Sequence, residues 1–161
     1  MPTGRVHLLY GLAGSGKSTL ARELCTEGGA VRFTLDEWML RLFPGLDFES
    51  RAYGDAAAEV RDLMWTVAEQ VVRTGSDVVL DWNSWSAARR RWAVERAAAI
   101  DAPVLLHRLT ASIDRASEQA GRRAERGTRY AHQVTREGNQ HLATLMEEPT
   151  SDEGFEIQVH S

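Results

Sequence analysis

The chain has 161 residues, of which 43% are hydrophobic and 26% are charged, and its formal net charge at pH 7 is −4. This length suits one domain with its own hydrophobic core. A single cysteine excludes an internal disulfide framework and a cysteine-rich zinc site. Because no apolar run approaches a membrane span and the N-terminus has no apolar signal core, we expect a soluble, cytoplasmic protein without a membrane partner. The acidic balance disfavours nucleic acid as a partner.

Short apolar runs alternate with helical patterns along the whole chain. In chain order these are a strand over residues 5–10, a helix from about residue 17 to Gly28-Gly29, a strand over 30–34, helices over 37–43 and 55–74, a strand over 78–80, a helix over 86–100, a strand over 103–109, helices over 112–126 and 134–148, and a terminal strand over 155–159. Inner strands that are apolar throughout are typical of a parallel sheet covered by helices on both faces. The sequence therefore predicts one α/β domain over residues 1–161 with about five parallel strands.

Some residues within these elements are predicted to be structural. Five apolar side chains recur at helical spacing in the helix over 55–74 and are expected to face the core: Val60, Leu63, Met64, Val67 and Val71. Trp65 and Trp92 lie within helical patterns and are predicted to be core residues. His7 and His107 lie in strands, so we expect structural hydrogen bonds for them and no metal.

Residues 11–18 match the phosphate-binding motif G-x-x-x-x-G-K-[ST], with a strand predicted before it and a helix after it. The glycines let backbone N–H groups approach phosphates, and the start of the helix adds the positive end of its dipole. Lys17, the single lysine among nineteen basic residues, is predicted to reach the β- and γ-phosphates, and the Ser18 hydroxyl to bind Mg²⁺. The predicted nucleotide-binding residues are Gly11, Ala13, Gly14, Ser15, Gly16, Lys17, Ser18 and Thr19. The alternative is a glycine-rich turn that binds nothing.

Two carboxylates follow predicted strands, Asp36 after the second and Asp81 after the third. In an open parallel sheet, ligands bind beyond the carboxyl ends of the strands. A carboxylate there can hold Mg²⁺ or take the proton from an attacking hydroxyl. The structural alternatives are a helix N-cap for Asp36, ahead of residues 37–43, and a turn residue for Asp81.

Three tryptophans lie close to these carboxylates in sequence: Trp38, Trp82 and Trp85. Aromatic side chains beside a polar site can form the wall against which an acceptor packs. We therefore predict substrate binding by Asp36, Trp38, Asp81 and Trp82. Burial in the core is the alternative for Trp82 and for Trp85.

Arginines crowd the segment from Arg108 to Arg136, which holds seven basic and three acidic residues. A lid that carries arginines can stabilise a migrating phosphoryl group and exclude water. Gly121 and Gly127 flank the arginines on both sides, which favours a lid over residues 121–135, with a solvated charged face as the alternative. The run Arg89-Arg90-Arg91 is predicted to be a solvated helix face.

The loop, the segment Thr34–Trp38, Asp81 and the arginine-rich lid together resemble the small P-loop kinases, in particular the group that contains chloramphenicol phosphotransferase, zeta-type toxins and the kinase domain of phage polynucleotide kinase. The tail from Leu145 to Glu153 resembles the segment after the lid in gluconate-kinase-like enzymes. The resemblance implies a P-loop NTPase fold and makes Asp36 the general base. It also implies phosphate contacts from the lid arginines Arg122, Arg123 or Arg126, although Gln119 stands where the family often has a first lid arginine.

These observations predict an ATP- and Mg²⁺-dependent kinase with a small-molecule hydroxyl as acceptor, which the resemblance suggests is an antibiotic or another natural product. In this scheme the catalytic residues are Lys17, Asp36, Arg122 and Arg126, and Ser18 and Asp81 hold the metal. The alternatives are a 5′-hydroxyl polynucleotide kinase and a regulatory NTPase without an acceptor. Between Asp36 and Asp77, nine acidic residues face four arginines, so the acceptor is predicted to be neutral or cationic.

Overall fold

The structure is a computed structural model that describes residues 2–112, 114–119 and 136–160. The described strands are β1 (Val6–Tyr10), β2 (Val31–Thr34), β3 (Val78–Asn83), β4 (Val104–Leu109) and β5 (Glu156–His160). The described helices are α1 (Lys17–Gly28), α2 (Leu35–Leu42), α3 (Arg51–Arg73), α4 (Ala87–Ala98) and α5 (Arg136–Leu145). Residues 114–119 are also helical.

The five strands form one sheet in the order β2-β3-β1-β4-β5, and every neighbouring pair is parallel. This confirms the predicted parallel sheet. The central strand β1 lies between β3 and β4, so the chain leaves β1 toward one side of the sheet and later returns to the other. Such a reversal opens a crevice beyond the carboxyl ends of the strands, where ligands bind in sheets of this type.

Helices cover both faces of the sheet, as the sequence predicts. On one face, Leu9 and Val79 pack against Ala21 of α1. On the other face, Leu8 and Leu80 belong to a larger cluster with α2, α3 and α4. Successive strand residues point to opposite faces, which is why continuous apolar strands accompany two helical layers. Among the described helices, none is both long and apolar enough to cross a membrane.

The buried face of α3 differs from the predicted one. Val60 and Met64 are buried, whereas the side chain of Leu63 is 57% exposed and that of Val67 is 43% exposed. Ala57 and Ala68 occupy the buried face instead, because small side chains let the helix lie close to the sheet. Trp65 and Trp92 pack edge to face with ring centroids 6.5 Å apart, which confirms their predicted place in the core.

A row of histidines crosses the sheet on its β1, β4 and β5 strands. The Nδ1 atom of His7 lies 2.8 Å from Nε2 of His107, and Nδ1 of His107 lies 2.9 Å from Nε2 of His160. Nε2 of His7 lies 2.7 Å from Oδ2 of Asp77. Burial and the two neighbouring histidines lower the pKa of His107 to about 4. The structural interpretation of His7 and His107 is therefore confirmed.

The prediction of a solvated face is wrong for Arg90. Its side chain is 1% exposed, and its Nε donates to Oε1 of Glu153 at 2.9 Å. Its Nη1 also donates to the carbonyl oxygens of Ser84 at 3.0 Å and Glu147 at 2.9 Å. Arg90 thus joins the end of β3 to the segment that leads into β5.

Candidate active site

The loop at residues 11–16 connects β1 to α1 and requires glycine at specific positions. Gly14 and Gly16 have φ angles of 85° and 102°, in the left-handed region that side chains rarely adopt. A Cβ atom on Gly11 would lie 2.6 Å from Oγ of Ser15 and 2.9 Å from the carbonyl oxygen of Leu109. The motif therefore folds as a tight loop directly before a helix, as a phosphate-binding loop must.

Two features of this loop suit it to anionic phosphates. Gly16 is the N-cap of α1 and supplies no side-chain cap, so the first N–H groups of the helix point into the loop. Nζ of Lys17 donates to the carbonyl oxygens of Gly11 and Leu12, each at 2.7 Å. These bonds hold the ammonium group against the loop.

Two asparagines that sequence reasoning missed brace the loop from other elements. Nδ2 of Asn83, at the end of β3, donates to the carbonyl oxygen of Gly11 at 2.8 Å. Asn139 of α5 is fully buried; its Oδ1 accepts from the N–H of Ala13 at 3.1 Å and its Nδ2 donates to the Ala13 carbonyl at 2.9 Å. No sequence motif marks either asparagine, because only the fold brings them to the loop.

A cavity of about 600 Å³ adjoins the loop. Its walls come from the loop and α1, from the ends of β2 and β3, from the first turn of α2, from one face of α3, from Arg89 of α4, and from Leu142 and Leu145 of α5. The lining residues include Ala13, Gly14, Gly16, Lys17, Ser18, Arg22, Arg32, Asp36, Glu37, Tyr53, Ala57, Arg61, Asp81, Trp82, Asn83, Trp85 and Arg89. The loop and both predicted carboxylates therefore meet at one site.

Asp36 lies in the first turn of α2, which begins at Leu35 and not at Glu37 as predicted. The N-cap of this helix is Thr34, so the alternative assignment of Asp36 as the cap is wrong. Asp36 is exposed to the cavity, and burial together with the negative charge of Asp36 raises the pKa of Tyr53 to about 12. A carboxylate in the first turn is also stabilised in its ionised form by the helix dipole.

Asp81 lies inside β3 and is buried, so it does not follow the strand as predicted, and the alternative assignment of Asp81 as a turn residue is wrong. Nε of Arg32 donates to its Oδ2 at 2.6 Å, and Arg32 also lies 3.7 Å from Glu37. Asp81 shares the cavity with the Ser18 hydroxyl, and such oxygen donors suit Mg²⁺. Among the described residues no cluster of three acidic, histidine or cysteine side chains could hold a metal ion.

The three tryptophans near the carboxylates have different environments. Trp82 and Trp85 line the cavity, and Trp82 also packs against Trp92 with ring centroids 6.2 Å apart. Trp38 does not line the cavity; it packs against Phe33 with centroids 6.5 Å apart and contacts the core. These contacts place Trp38 outside the cavity that the other predicted substrate-binding residues line, and substrate binding by Trp38 stays a prediction.

In the part of the chain that the structure describes, the cavity is lined by arginines that the sequence did not single out. The predicted lid over 121–135, with Arg122, Arg123 and Arg126, lies outside the described residues. Instead Arg61 of α3 and Arg89 of α4 line the cavity, and the Arg89 guanidinium lies 5.3 Å from the centre of the Trp85 ring. Arg89 is a second exception to the predicted solvated face, and only Arg91 of that run is exposed.

The charge of the cavity differs from the charge of the segment between Asp36 and Asp77. Of the nine acidic residues in that segment, Asp36 and Glu37 line the cavity. Asp77 binds His7 at the other end of the sheet. Of the residues that the structure describes, five basic side chains line the cavity, namely Lys17, Arg22, Arg32, Arg61 and Arg89, against the carboxylates of Asp36, Glu37 and Asp81.

Comparison with known proteins supports this description of the fold. The family model for the AAA domain matches residues 6–149. No curated protein sequence matches at a significant level. A protein of Chloroflexus aurantiacus provisionally called a kinase is 18% identical, with 98% of this chain and 87% of that chain covered and a TM-score of 0.74.

Two further solved structures are similar. Kti12 of Chaetomium thermophilum, in complex with ADP-AlF3, is 18% identical, with 97% of this chain and 88% of that chain covered and a TM-score of 0.69. A gluconokinase from Sinorhizobium meliloti is 16% identical, with 98% of this chain and 82% of that chain covered and a TM-score of 0.59. At these identities the likeness shows the fold.

Proposed function

The chain belongs to the AAA domain family and has the fold of small P-loop kinases, and we propose that it is an ATP- and Mg²⁺-dependent phosphotransferase that acts on a hydroxyl group of a small molecule. The observation that carries this proposal is that Lys17, Ser18 and Asp36 line one cavity. A phosphate-binding loop and an exposed carboxylate in the same cavity can hold both partners of a phosphoryl transfer.

The chain's own residues have distinct roles in the proposed reaction. Loop N–H groups and Lys17 bind the β- and γ-phosphates of ATP. Asp36 accepts the hydroxyl proton as the acceptor oxygen bonds to the γ-phosphorus, and the bond from that phosphorus to the β–γ bridging oxygen breaks to release ADP. Ser18 and Asp81 would hold Mg²⁺, which neutralises developing charge on the phosphates. A lid arginine, Arg122 or Arg126, stabilises the transferring group.

The size and surroundings of the cavity favour a small acceptor, such as an antibiotic or another natural product. A volume of about 600 Å³ lies within the range of small-molecule sites. The cavity-lining residues Phe48 and Tyr53 are neighbours in sequence of the exposed carboxylates of Asp47, Glu49 and Asp55. These carboxylates do not line the cavity, so they would repel the extended backbone of a polynucleotide, whose affinity depends on several phosphate contacts, more than a small molecule held inside the cavity.

An ADP-release screen tests this proposal. Sugars, nucleosides, aminoglycosides, phenicols and DNA or RNA oligonucleotides are offered with ATP and Mg²⁺, and Lys17→Ala serves as the blank. We expect acceptor-stimulated ADP release with at least one small molecule and none with Lys17→Ala. Stimulation by oligonucleotides alone would favour the polynucleotide kinase, and nucleotide binding with slow hydrolysis and no stimulation by any acceptor would favour a regulatory NTPase.

A further inference from the structure

Arg61 and Arg89 reach the acceptor side of the cavity from two different helices. On α3, Tyr53, Ala57 and Arg61 recur every four residues and so share one helix face, and all three line the cavity. The small side chain of Ala57 leaves room beside Arg61. Arg89 enters from the first turn of α4 and lies over the Trp85 ring.

These two arginines differ from the other partly or fully buried arginines around them. Arg32 pairs with Asp81, Arg90 with Glu153, Arg96 with Asp62 and Arg108 with Glu148, at nitrogen–oxygen distances of 2.6, 2.9, 3.5 and 2.9 Å. Within the part of the chain that the structure describes, neither Arg61 nor Arg89 has a carboxylate at ion-pair distance. Asp62, which follows Arg61 in the chain, pairs with Arg96.

Among the described residues, these two partly buried like charges share a cavity without a carboxylate at ion-pair distance, which is electrostatically unfavourable. Burial lowers the pKa of Arg61, although the charge of Asp62 opposes this shift, and burial together with the positive charge of Arg61 lowers the pKa of Arg89. Both guanidinium groups still remain protonated at neutral pH. An anion between them would remove the repulsion and receive hydrogen bonds from two planar donors, one of which is already oriented by stacking on an indole.

We propose that Arg61 and Arg89 bind an anionic group of the acceptor, a carboxylate, sulfate or phosphate, so that the substrate is a small molecule with both a hydroxyl and an anionic group. This inference rests on the proposed function for the role of the hydroxyl. The expectation of a neutral or cationic acceptor was obtained from the sum of charges along the sequence. The present proposal uses only the charges that face the cavity, and it replaces that expectation with an anionic acceptor.

The binding of sulfate tests the anion site without an acceptor in hand. The phosphate loop is first saturated with a nonhydrolysable ATP analogue and Mg²⁺, because the loop itself attracts anions. Sodium sulfate is then titrated at constant ionic strength, and fluorescence is read from the protein's tryptophans, of which Trp82 and Trp85 line the cavity. The titration is repeated in Lys17→Ala without nucleotide, so that the result does not depend on nucleotide binding.

We expect a saturable fluorescence change in the wild type and roughly tenfold to hundredfold weaker sulfate binding in Arg61→Gln and in Arg89→Gln, as for the loss of a charge-assisted hydrogen bond. Arg89→Lys should restore part of the affinity. Arg91→Gln, two residues further along α4 and exposed, is the matched control and should bind as the wild type does, and circular dichroism checks that each variant folds. No saturable binding in the wild type, or equal binding in all variants, would overturn the proposal.

Turnover with matched alcohols separates this inference from the proposed function. Glycerol, glycerate and glycerol 3-phosphate form one series, and glucose, gluconate and glucose 6-phosphate another. Where either series is phosphorylated, an anionic member should exceed its neutral partner in kcat/KM, and this advantage should vanish in Arg61→Gln. Turnover of neutral alcohols without sulfate binding would overturn the anion site alone. Arginine-dependent sulfate binding in a protein that transfers no phosphoryl group in the wider acceptor screen would support the anion site while the proposed function fails.

Discussion

Lys17 shows at the residue scale how one side chain is fitted to one task. Its ammonium donates to two carbonyl oxygens of the loop, at 2.7 Å each, in a chain whose eighteen other basic residues are all arginine. A slim ammonium on a flexible stem fits between these oxygens, whereas a planar guanidinium is wider and has a fixed fork. Arginine, although abundant in this chain, would not reproduce these contacts.

We therefore expect both Lys17→Ala and Lys17→Arg to lower acceptor-dependent ADP release by about 10² to 10³-fold, the usual effect of removing one donor to a developing charge. The measurement is steady-state turnover at saturating ATP. Glu23→Ala, an exposed position of the same helix that does not line the cavity, is the matched control and should lose far less activity. Near-normal turnover in Lys17→Arg would contradict the role given to the loop.

The three adjacent arginines at residues 89–91 show why residue identity alone did not predict environment. Successive residues of a helix point about 100° apart, so Arg89 faces the cavity, Arg90 enters the core and Arg91 points to solvent. Because the three residues are identical and adjacent, the local sequence does not distinguish their environments. Arg90 can be buried because its guanidinium pairs with Glu153, which lies 63 residues away in the chain. No local sequence pattern reveals that partner.

Replacement of Arg90 by leucine should therefore be strongly destabilising. The change leaves the Glu153 carboxylate and the carbonyl oxygens of Ser84 and Glu147 without their donor, and breaking a buried ion pair from one side typically lowers the free energy of unfolding by about 3–5 kcal/mol. Urea denaturation measures this loss, and Arg91→Leu should change the same quantity by less than about 0.5 kcal/mol. Equal effects of the two substitutions would refute the assigned environments.

At the scale of elements, the phosphate-binding loop depends on α5 as well as on β1 and α1. Asn139 of α5 binds both the N–H and the carbonyl of Ala13, and its Nδ2 also donates to Oγ of Ser117 at 3.1 Å. This single side chain connects the loop to α5 and to the helical residues 114–119. The loop motif was recognisable from sequence, whereas its support came from an asparagine 126 residues away.

Asn139→Ala should weaken nucleotide binding because the loop loses part of its fixed shape. We expect the dissociation constant for ATP to rise about fivefold to tenfold, equivalent to about 1–1.4 kcal/mol, in an equilibrium titration with a nonhydrolysable analogue. Gln140→Ala, the next residue of α5, is the control and should leave the constant unchanged. If both variants bind as the wild type does, Asn139 supports only the fold and not the nucleotide site.

Element boundaries were predicted less well than element types. Periodicity predicted a helix over 37–43, yet α2 starts at Leu35, directly after β2. Leu35 and Met39 are buried on its inner face, so burial of an apolar residue decides the first turn. On α3, the prediction was right for Val60 and Met64 and wrong for Leu63 and Val67, whereas the buried residues Ala57 and Ala68 have little hydrophobic signal of their own.

For the whole molecule, the parallel sheet followed from sequence because continuous apolar strands and intervening helices permit few arrangements. The histidine row could not be predicted, because its bonded neighbours on β1, β4 and β5 are 100 and 53 positions apart in the chain. With neutral rings, donation runs in one direction: His160 Nε2–H to His107, His107 Nε2–H to His7, and His7 Nε2–H to Asp77. Protonation of His107 would place two N–H donors against each other.

This arrangement predicts a loss of stability in mild acid. The pKa of His107 is about 4 in the folded protein, against about 6.5 in an unfolded chain. Between pH 4 and pH 6.5, His107 is therefore protonated in the unfolded state and neutral in the folded state. The contribution of neutral His107 to the free energy of unfolding is complete above pH 6.5 and is lost as the pH falls to 4. The slope of this loss is at most about 1.4 kcal/mol per pH unit. Urea denaturation at pH 7.5, 6.0 and 5.0 measures it.

His107→Gln is the informative variant for this prediction. An amide keeps hydrogen-bonding capacity but does not titrate, so the variant should show a shallower fall in unfolding free energy over the same interval. Asp77 contributes at lower pH, because its hydrogen bonds, which outweigh burial, hold its pKa below the ordinary value of 3.8. An unchanged slope in His107→Gln would contradict the explanation.

The central claim for the molecule is that nucleotide and acceptor meet in one cavity and that Asp36 acts on the acceptor. One preparation of Asp36→Asn, which keeps the shape and removes the proton acceptor, tests this claim by two numbers: the dissociation constant for ATP with Mg²⁺, and acceptor-dependent ADP release. We predict a constant within a few-fold of the wild type and turnover lower by about 10² to 10⁴-fold, the usual contribution of a positioned base. Normal turnover with acceptor at neutral pH would contradict the account, and Asp36 would then be no more than a first-turn residue of α2.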